Sequence, residues 1–164
     1  MRAALLALAL VVTGAACDEG DDSGERGLLE LRPVLAANPP PCPTEPPKDS
    51  GLMRPLDADG SVAECLELGE PIIDADDVRS ATVATTPAGA PALSVILGSV
   101  GSANLDGFAE RNQGKRLAIL TDGEVVSAPE VRFRSFAGRI QVTGLSQEKT
   151  DDLFRRLNKV IKPG

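Results

Sequence analysis

The feature that most restricts the fold is Asp122-Gly123, set between the apolar runs Leu117 to Leu120 and Val125 to Val126. A two-residue type I′ turn needs positive φ at both central positions, and Asp-Gly supplies them with little steric cost, so the stretch Arg116 to Pro129 is a β-hairpin. Period-two patterning adds a strand over Gly27 to Leu35, with Leu29, Leu31, Pro33 and Leu35 on one face and Glu30, Arg32 and Val34 on the other. Pro33 has no N–H to give a ladder, which argues for an edge position or a strand end. Ala81 to Thr85 and Ala92 to Leu97 are apolar, β-branched runs around Thr86 to Pro91 and predict a second hairpin with a wider loop.

Helical spacing occurs twice. Ser102 to Asn112 places Leu105, Phe108 and Ala109 on one face and stops at Gly114. Ser146 caps a helix running to Val160, with Glu148, Asp151 and Asp152 early and Arg155, Arg156 and Lys159 late, the order the helix dipole favours. Its stripe of Leu153, Phe154, Leu157, Val160 and Ile161 would lie on the sheet. In Gly69 to Ala81, Asp74 or Asp76 would cap a short helix from about Asp77. The fold class is therefore α+β, an antiparallel or mixed sheet with helices on one face.

Several of these segments together resemble a known family. "Gly-Lys-Arg-Leu-Ala-Ile-x-x-Asp-Gly-x-Val-x-Ser-Ala-Pro" from Gly114, "Ile-x-Val-x-Gly" from Ile140, and the helix bearing Leu153 and Leu157 are similar to the head of the first extracytoplasmic domain of SecD, the protein-export membrane protein. The entering strand "Leu-Glu-Leu-Arg-Pro-Val" from Leu29 resembles the same family, as does the acidic turn after Gly69. Phe108 fits the family's helix, while Asn112 stands where Thr is usual. The resemblance covers about Leu28 to Ile161. It implies a domain outside the cytoplasm that contacts translocating polypeptide, in a family whose membrane helices carry the proton-driven work. Ala88 to Val100 comes nearest to a membrane span but is broken by Gly89, Pro91 and Gly98. The head is thus expected without those helices.

The first residues predict an export signal. Arg2 precedes the apolar run Ala3 to Val12, and Gly14-Ala15-Ala16 places small residues before Cys17. This resembles a lipobox, with Gly14 where an aliphatic residue is usual, and implies diacylation of Cys17 and a membrane anchor on the extracytoplasmic side. Ordinary cleavage after Ala16, with release, is the alternative. Residues 18–26 then form an acidic, glycine-rich tether, and residues 27–162 the domain. Of three cysteines, lipidation of Cys17 leaves Cys42 and Cys65, which an oxidising compartment favours joining. The other use of the pair, a thiolate metal site, would need further ligands of a kind the chain lacks. Seven prolines between Ala36 and Leu56 make that stretch a loop, so residues 36–65 read as a stiff insert stapled at Cys65. Similar inserts occur in SecD chains of some Gram-positive bacteria.

Chemistry is sparse. The chain has no His, which removes the commonest general base and metal ligand. Ser127 has no Ser-x-x-Lys motif beside it, and Asp76 with Asp77, being adjacent, point apart. Asp57-Ala-Asp-Gly60 resembles the start of a calcium loop, but positions six and twelve hold Val62 and Leu68 instead of Gly and Glu. Neither nucleotide fingerprint is present, so no cofactor, no metal and no enzymatic activity are expected. A formal net charge of −7 repels nucleic acid. Phe133 and Phe136, between two strands, are either a partner-binding tip or a cover for the open end of the sheet. The expected function is a lipid-anchored binding module for exported or unfolded polypeptide, in contact with translocon components. The alternative is a structural or regulatory envelope lipoprotein with one fixed protein partner.

Overall fold

The computed structural model describes residues 27–42, 52–53 and 64–161. The signal and Cys17, the tether 18–26, the Asp57 turn and most of the Pro-rich stretch lie outside the described residues.

Among the described residues eight strands and two α-helices follow in the order β1 (Glu30–Asn38), β2 (Leu52–Met53), β3 (Cys65–Leu68), β4 (Val78–Thr85), β5 (Pro91–Leu97), α1 (Ser99–Arg111), β6 (Leu117–Thr121), β7 (Glu124–Ser127), β8 (Arg139–Thr143) and α2 (Gln147–Val160). They form two sheets where the sequence predicted one, a five-stranded sheet β2-β3-β1-β6-β7 and a three-stranded sheet β4-β5-β8. Every named pairing is antiparallel.

The Asp122-Gly123 turn joins β6 to β7 with φ of 51° and 76°. Thr121 pairs with Glu124 directly across it. All five residues of β6 are buried. Leu117 and Ile119 enter the main core with Leu29, Leu31, Leu93, Val95, Leu105 and Leu157, while Ala118 and Leu120 enter a second cluster with Leu66, Leu68 and Val125. A strand buried on both faces reads as a continuous apolar run, which is why Leu117 to Leu120 shows no alternation.

Both helices pack on the three-stranded sheet, α2 on β4 and β5 and α1 on β5. Each fully buried Leu at this junction contributes roughly 1.5–3 kcal/mol relative to exposure. Gly101 brings α1 close to the start of β4. A Cβ there would lie 2.7 Å from Asp77 Cβ.

Four local expectations are refined or corrected. β1 is central, between β3 and β6, although Pro33 argued for an edge position or a strand end; Pro33 is the last β1 residue paired with β6, and pairing with β3 begins at Val34. Leu31 trades hydrogen bonds with Ile72 and Ile73, and the Pro33 carbonyl accepts from Gly69 N–H, so the missing donor faces the irregular Gly69–Ile73 segment where no ladder is continued. The strand also runs on to Asn38, because Ala36, Ala37 and Asn38 pair with β3 across a register shift; the segment 36–65 therefore includes ladder residues at both ends, and Leu52–Met53 adds a further short strand on β3. Leu35, at the shift itself, is 62% exposed. The acidic turn is a single 3₁₀ turn, Ala75–Asp77, that ends where the sequence placed a helix start: Asp74 caps it and β4 follows at once. Finally, α1 begins at Ser99, three residues before the predicted Ser102.

Cys42 and Cys65 are joined, with Cα atoms 5.4 Å apart and a sequence separation of 23. A loop of that length constrains the unfolded chain by about 3 kcal/mol in the chain-entropy account.

Candidate functional site

The connection from β7 to β8, Ala128 to Gly138, builds the site. Its first part stays paired to the approach to β6: Leu117 N–H donates to Pro129 O, Val131 N–H to Lys115 O, and Gly114 N–H to Val131 O. Val131 is thereby buried in the main core. The chain then turns outward and is caught by α1. Asp106 accepts from Phe136 N–H at 2.7 Å and from the Ser135 hydroxyl at 3.0 Å, and Ala137 N–H donates to that hydroxyl oxygen. Ala137 and Gly138 return the chain to β8 with φ of 51° and 67°.

These anchors separate the two phenylalanines. Phe136 packs against the main core, while Phe133 is 69% exposed. Between them lies a groove of about 250 Å³ whose floor is Leu31, Leu117 and Ile119, whose wall is Phe136 and Ile140, and whose rim holds Phe133, Arg132 and Arg139. Of the two phenylalanines singled out in the sequence, Phe136 thus lies against the core and Phe133 is exposed. Asp106, which holds the loop in place, carried no signal in the sequence, because its acceptors are used by residues about thirty positions away. The arginines Arg132, Arg134 and Arg139 were visible but were not read as part of a site.

The remaining polar groups are engaged in structure. Asp122 forms a two-pronged ion pair with Arg156 of α2, at 2.6 and 3.0 Å, which raises the Arg156 pKa chiefly through that hydrogen bond. Arg116 pairs with Glu64 and holds the Glu64 carboxyl below its ordinary value. Asp74 and Asp77 form a capping box, Asp76 N–H donating to Asp74 and Asp74 N–H to Asp77. Asp77 titrates above its ordinary value, chiefly because α1 buries it and secondarily because of the Asp74 and Asp76 charges, against the lowering effect of its backbone hydrogen bond. Of the acidic pair considered from the sequence, the Asp77 carboxylate therefore belongs to the capping box, while Asp76 enters it only through its backbone N–H. Among the described residues no group of three or more His, Cys, Asp or Glu is placed to hold a metal ion. No helix among them is long and apolar enough to cross a membrane.

Comparison with known proteins agrees with this architecture. Residues 55–159 match the family described as SecDF, P1 head subdomain. The chain is 39% identical over 83 residues to the protein translocase subunit SecD of Aquifex aeolicus, covering 49% of this chain and 16% of that protein. It is 30% identical over 141 residues to SecD of Rhodobacter capsulatus, covering 85% of this chain and 25% of that protein. The chain thus spans a quarter or less of the length of these relatives. Among solved structures, SecDF in its super-membrane-facing form superposes with a TM-score of 0.60 at 25% identity, over 82% of this chain and 19% of that one. A second structure, of a membrane component SecDF that enhances protein export, gives a TM-score of 0.58 at 22% identity over 82% of this chain and 63% of the other, a likeness of fold.

Proposed function

The chain belongs to the SecDF P1 head family, and from that premise we propose that it is a non-enzymatic binding module that contacts exported or unfolded polypeptide outside the cytoplasm, held at the membrane by a lipid on Cys17. The observation that carries this reading is the apolar groove beneath Phe133, in a fold whose relatives are protein translocase subunits. Unfolded chains share exposed apolar side chains and little else, so a groove with an apolar floor and an exposed aromatic at its rim suits them. The Cys42–Cys65 bond supports an oxidising compartment. In this reading residues 1–17 are the signal, residues 18–26 a tether and residues 27–162 the domain; neither cofactor, metal nor nucleic acid takes part.

A photo-crosslinker at position 133 tests the binding role. Recovery of many different exported chains supports it, and recovery of one stoichiometric partner replaces it with a fixed structural or regulatory role. Intact mass of the mature protein tests the anchor: a membrane-bound species beginning at diacylated Cys17 is expected, and a soluble species with an unmodified N-terminus rules the anchor out.

A further inference from the structure

The polypeptide itself is specified further by the groove, on the footing that the groove is a polypeptide site. We propose that it takes an extended segment as an added strand along β8, and that it prefers segments whose apolar residues are flanked by Asp or Glu.

Strand addition follows from where the ladder leaves unpaired groups. Leu97 N–H donates to Gly138 O, and the register pairs Val95 with Ile140 and Leu93 with Val142. Hydrogen-bonded pairs recur every second residue, so Ile140 and Val142 direct their backbone groups toward β5 and Arg139, Gln141 and Thr143 direct theirs away. Arg139 N–H turns back to Phe136 O at 3.0 Å. Near Thr143 the edge closes on β7, where a Cβ at Gly144 would lie 3.0 Å from Val126 O. This leaves Arg139 C=O and both backbone groups of Gln141 without a backbone partner among the described residues. Arg139 and Gln141 both line the apolar groove. A peptide paired there would alternate its side chains between groove and solvent.

The acidic preference follows from charge. From Glu130 to Arg139 the chain carries Arg132, Arg134 and Arg139 against Glu130, three positive and one negative for a local net of +2, in a protein of net −7. Among the described residues, none of these three arginines forms an ion pair, whereas Arg32, Arg116, Arg155 and Arg156 all do. The nearby Asp106 carboxylate is occupied by Ser135 and Phe136. Exposed pairs are individually weak, so three of them together give about a tenfold preference at low salt, which shrinks as ionic strength rises.

Fluorescence anisotropy with the mature chain measures this, using two labelled peptides of identical apolar core, one flanked by Glu and one by Lys. The Glu-flanked peptide should bind about tenfold tighter at low salt. The double variant Arg132→Glu/Arg134→Glu, which changes exposed loop residues only and should keep its melting temperature, should reverse the order. N-methylation of one alternate set of peptide amides should abolish binding and of the other set should not. Equal binding of both peptides, with Phe133→Ala weakening both, overturns the acidic preference and leaves the groove reading standing. Indifference to either methylation set overturns strand addition. Absence of binding by both peptides overturns this proposal and the polypeptide reading together.

Discussion

β7 is entered and left by two very different connections. The one before it is two residues, Asp122-Gly123; the one after it is eleven, Ala128 to Gly138. The short turn takes its shape from its own backbone chemistry, with both residues at positive φ, and the Asp122–Arg156 pair and a Gly123 N–H bond to Gly27 O tie it to α2 and to the chain ahead of β1. The long connection is held from a distance, by Asp106 on α1 and by Lys115 and Gly114 ahead of β6. A rule of local conformation needs no help from the rest of the fold, whereas a loop held by distant side chains can lift one aromatic out of the core and keep its neighbour in.

Substitutions should expose that difference in order of size. Phe136→Ala, which strips a side chain packed on the main core, should cost about 2–3 kcal/mol in urea unfolding, while Phe133→Ala should cost less than about 0.5 kcal/mol and act on peptide binding alone. Equal costs would mean that the two rings share one environment. In the turn, Gly123→Val should cost about 2 kcal/mol. Nothing lies within 4 Å of a Cβ built there, so the penalty is purely the backbone conformation, and Gly123→Asn should recover most of it. Asp106→Ala should cost about 1–2 kcal/mol by leaving Phe136 N–H without its acceptor. It should also speed amide exchange between Arg132 and Gly138 while leaving the Asp122-Gly123 turn protected. Exchange that rises in both places would remove the contrast between them. Arg156→Met should cost only about 0.5 kcal/mol, as expected of an exposed pair at a turn that does not depend on it.

The smallest effect is a pH dependence at the root of the long connection, where Arg116 also donates to Ala128 O. The Arg116 hydrogen bond lowers the Glu64 pKa from its ordinary 4.5. A depressed folded-state pKa contributes stability that is present above 4.5 and lost as pH falls through the lowered value. Arg116→Gln should therefore flatten that part of the acid limb and return Glu64 toward its ordinary titration, as read by NMR. An unchanged Glu64 titration would show that the pair does not form in solution.

The same division runs through what could be read in advance. The Asp-Gly turn, the β4–β5 hairpin and the Ser146-capped helix α2 were legible because each depends on residues a few positions apart. The central place of β1 was not legible because the tolerance of Pro33 depends on where Gly69–Ile73 leaves the neighbouring ladder, thirty-six or more positions away. The family motif around Gly114 to Pro129 marked the strands beside the groove; Asp106 and the arginine rim gave no periodic or spacing signal, and the loop between them has none to give.

The Asp122-Gly123 turn, the Ser146 cap, the presence of the two long helices, the apolar runs and, through its motifs, the SecD likeness could be read from the sequence, because these are properties of short segments and their order. Only the packing of the described residues shows two sheets with β1 at the centre of one, Phe133 exposed while Phe136 packs on the core, and part of the β8 edge without a backbone partner among those residues. Each of those outcomes depends on which distant groups arrive to complete a hydrogen bond or cover a side chain, and that is settled only when the elements pack.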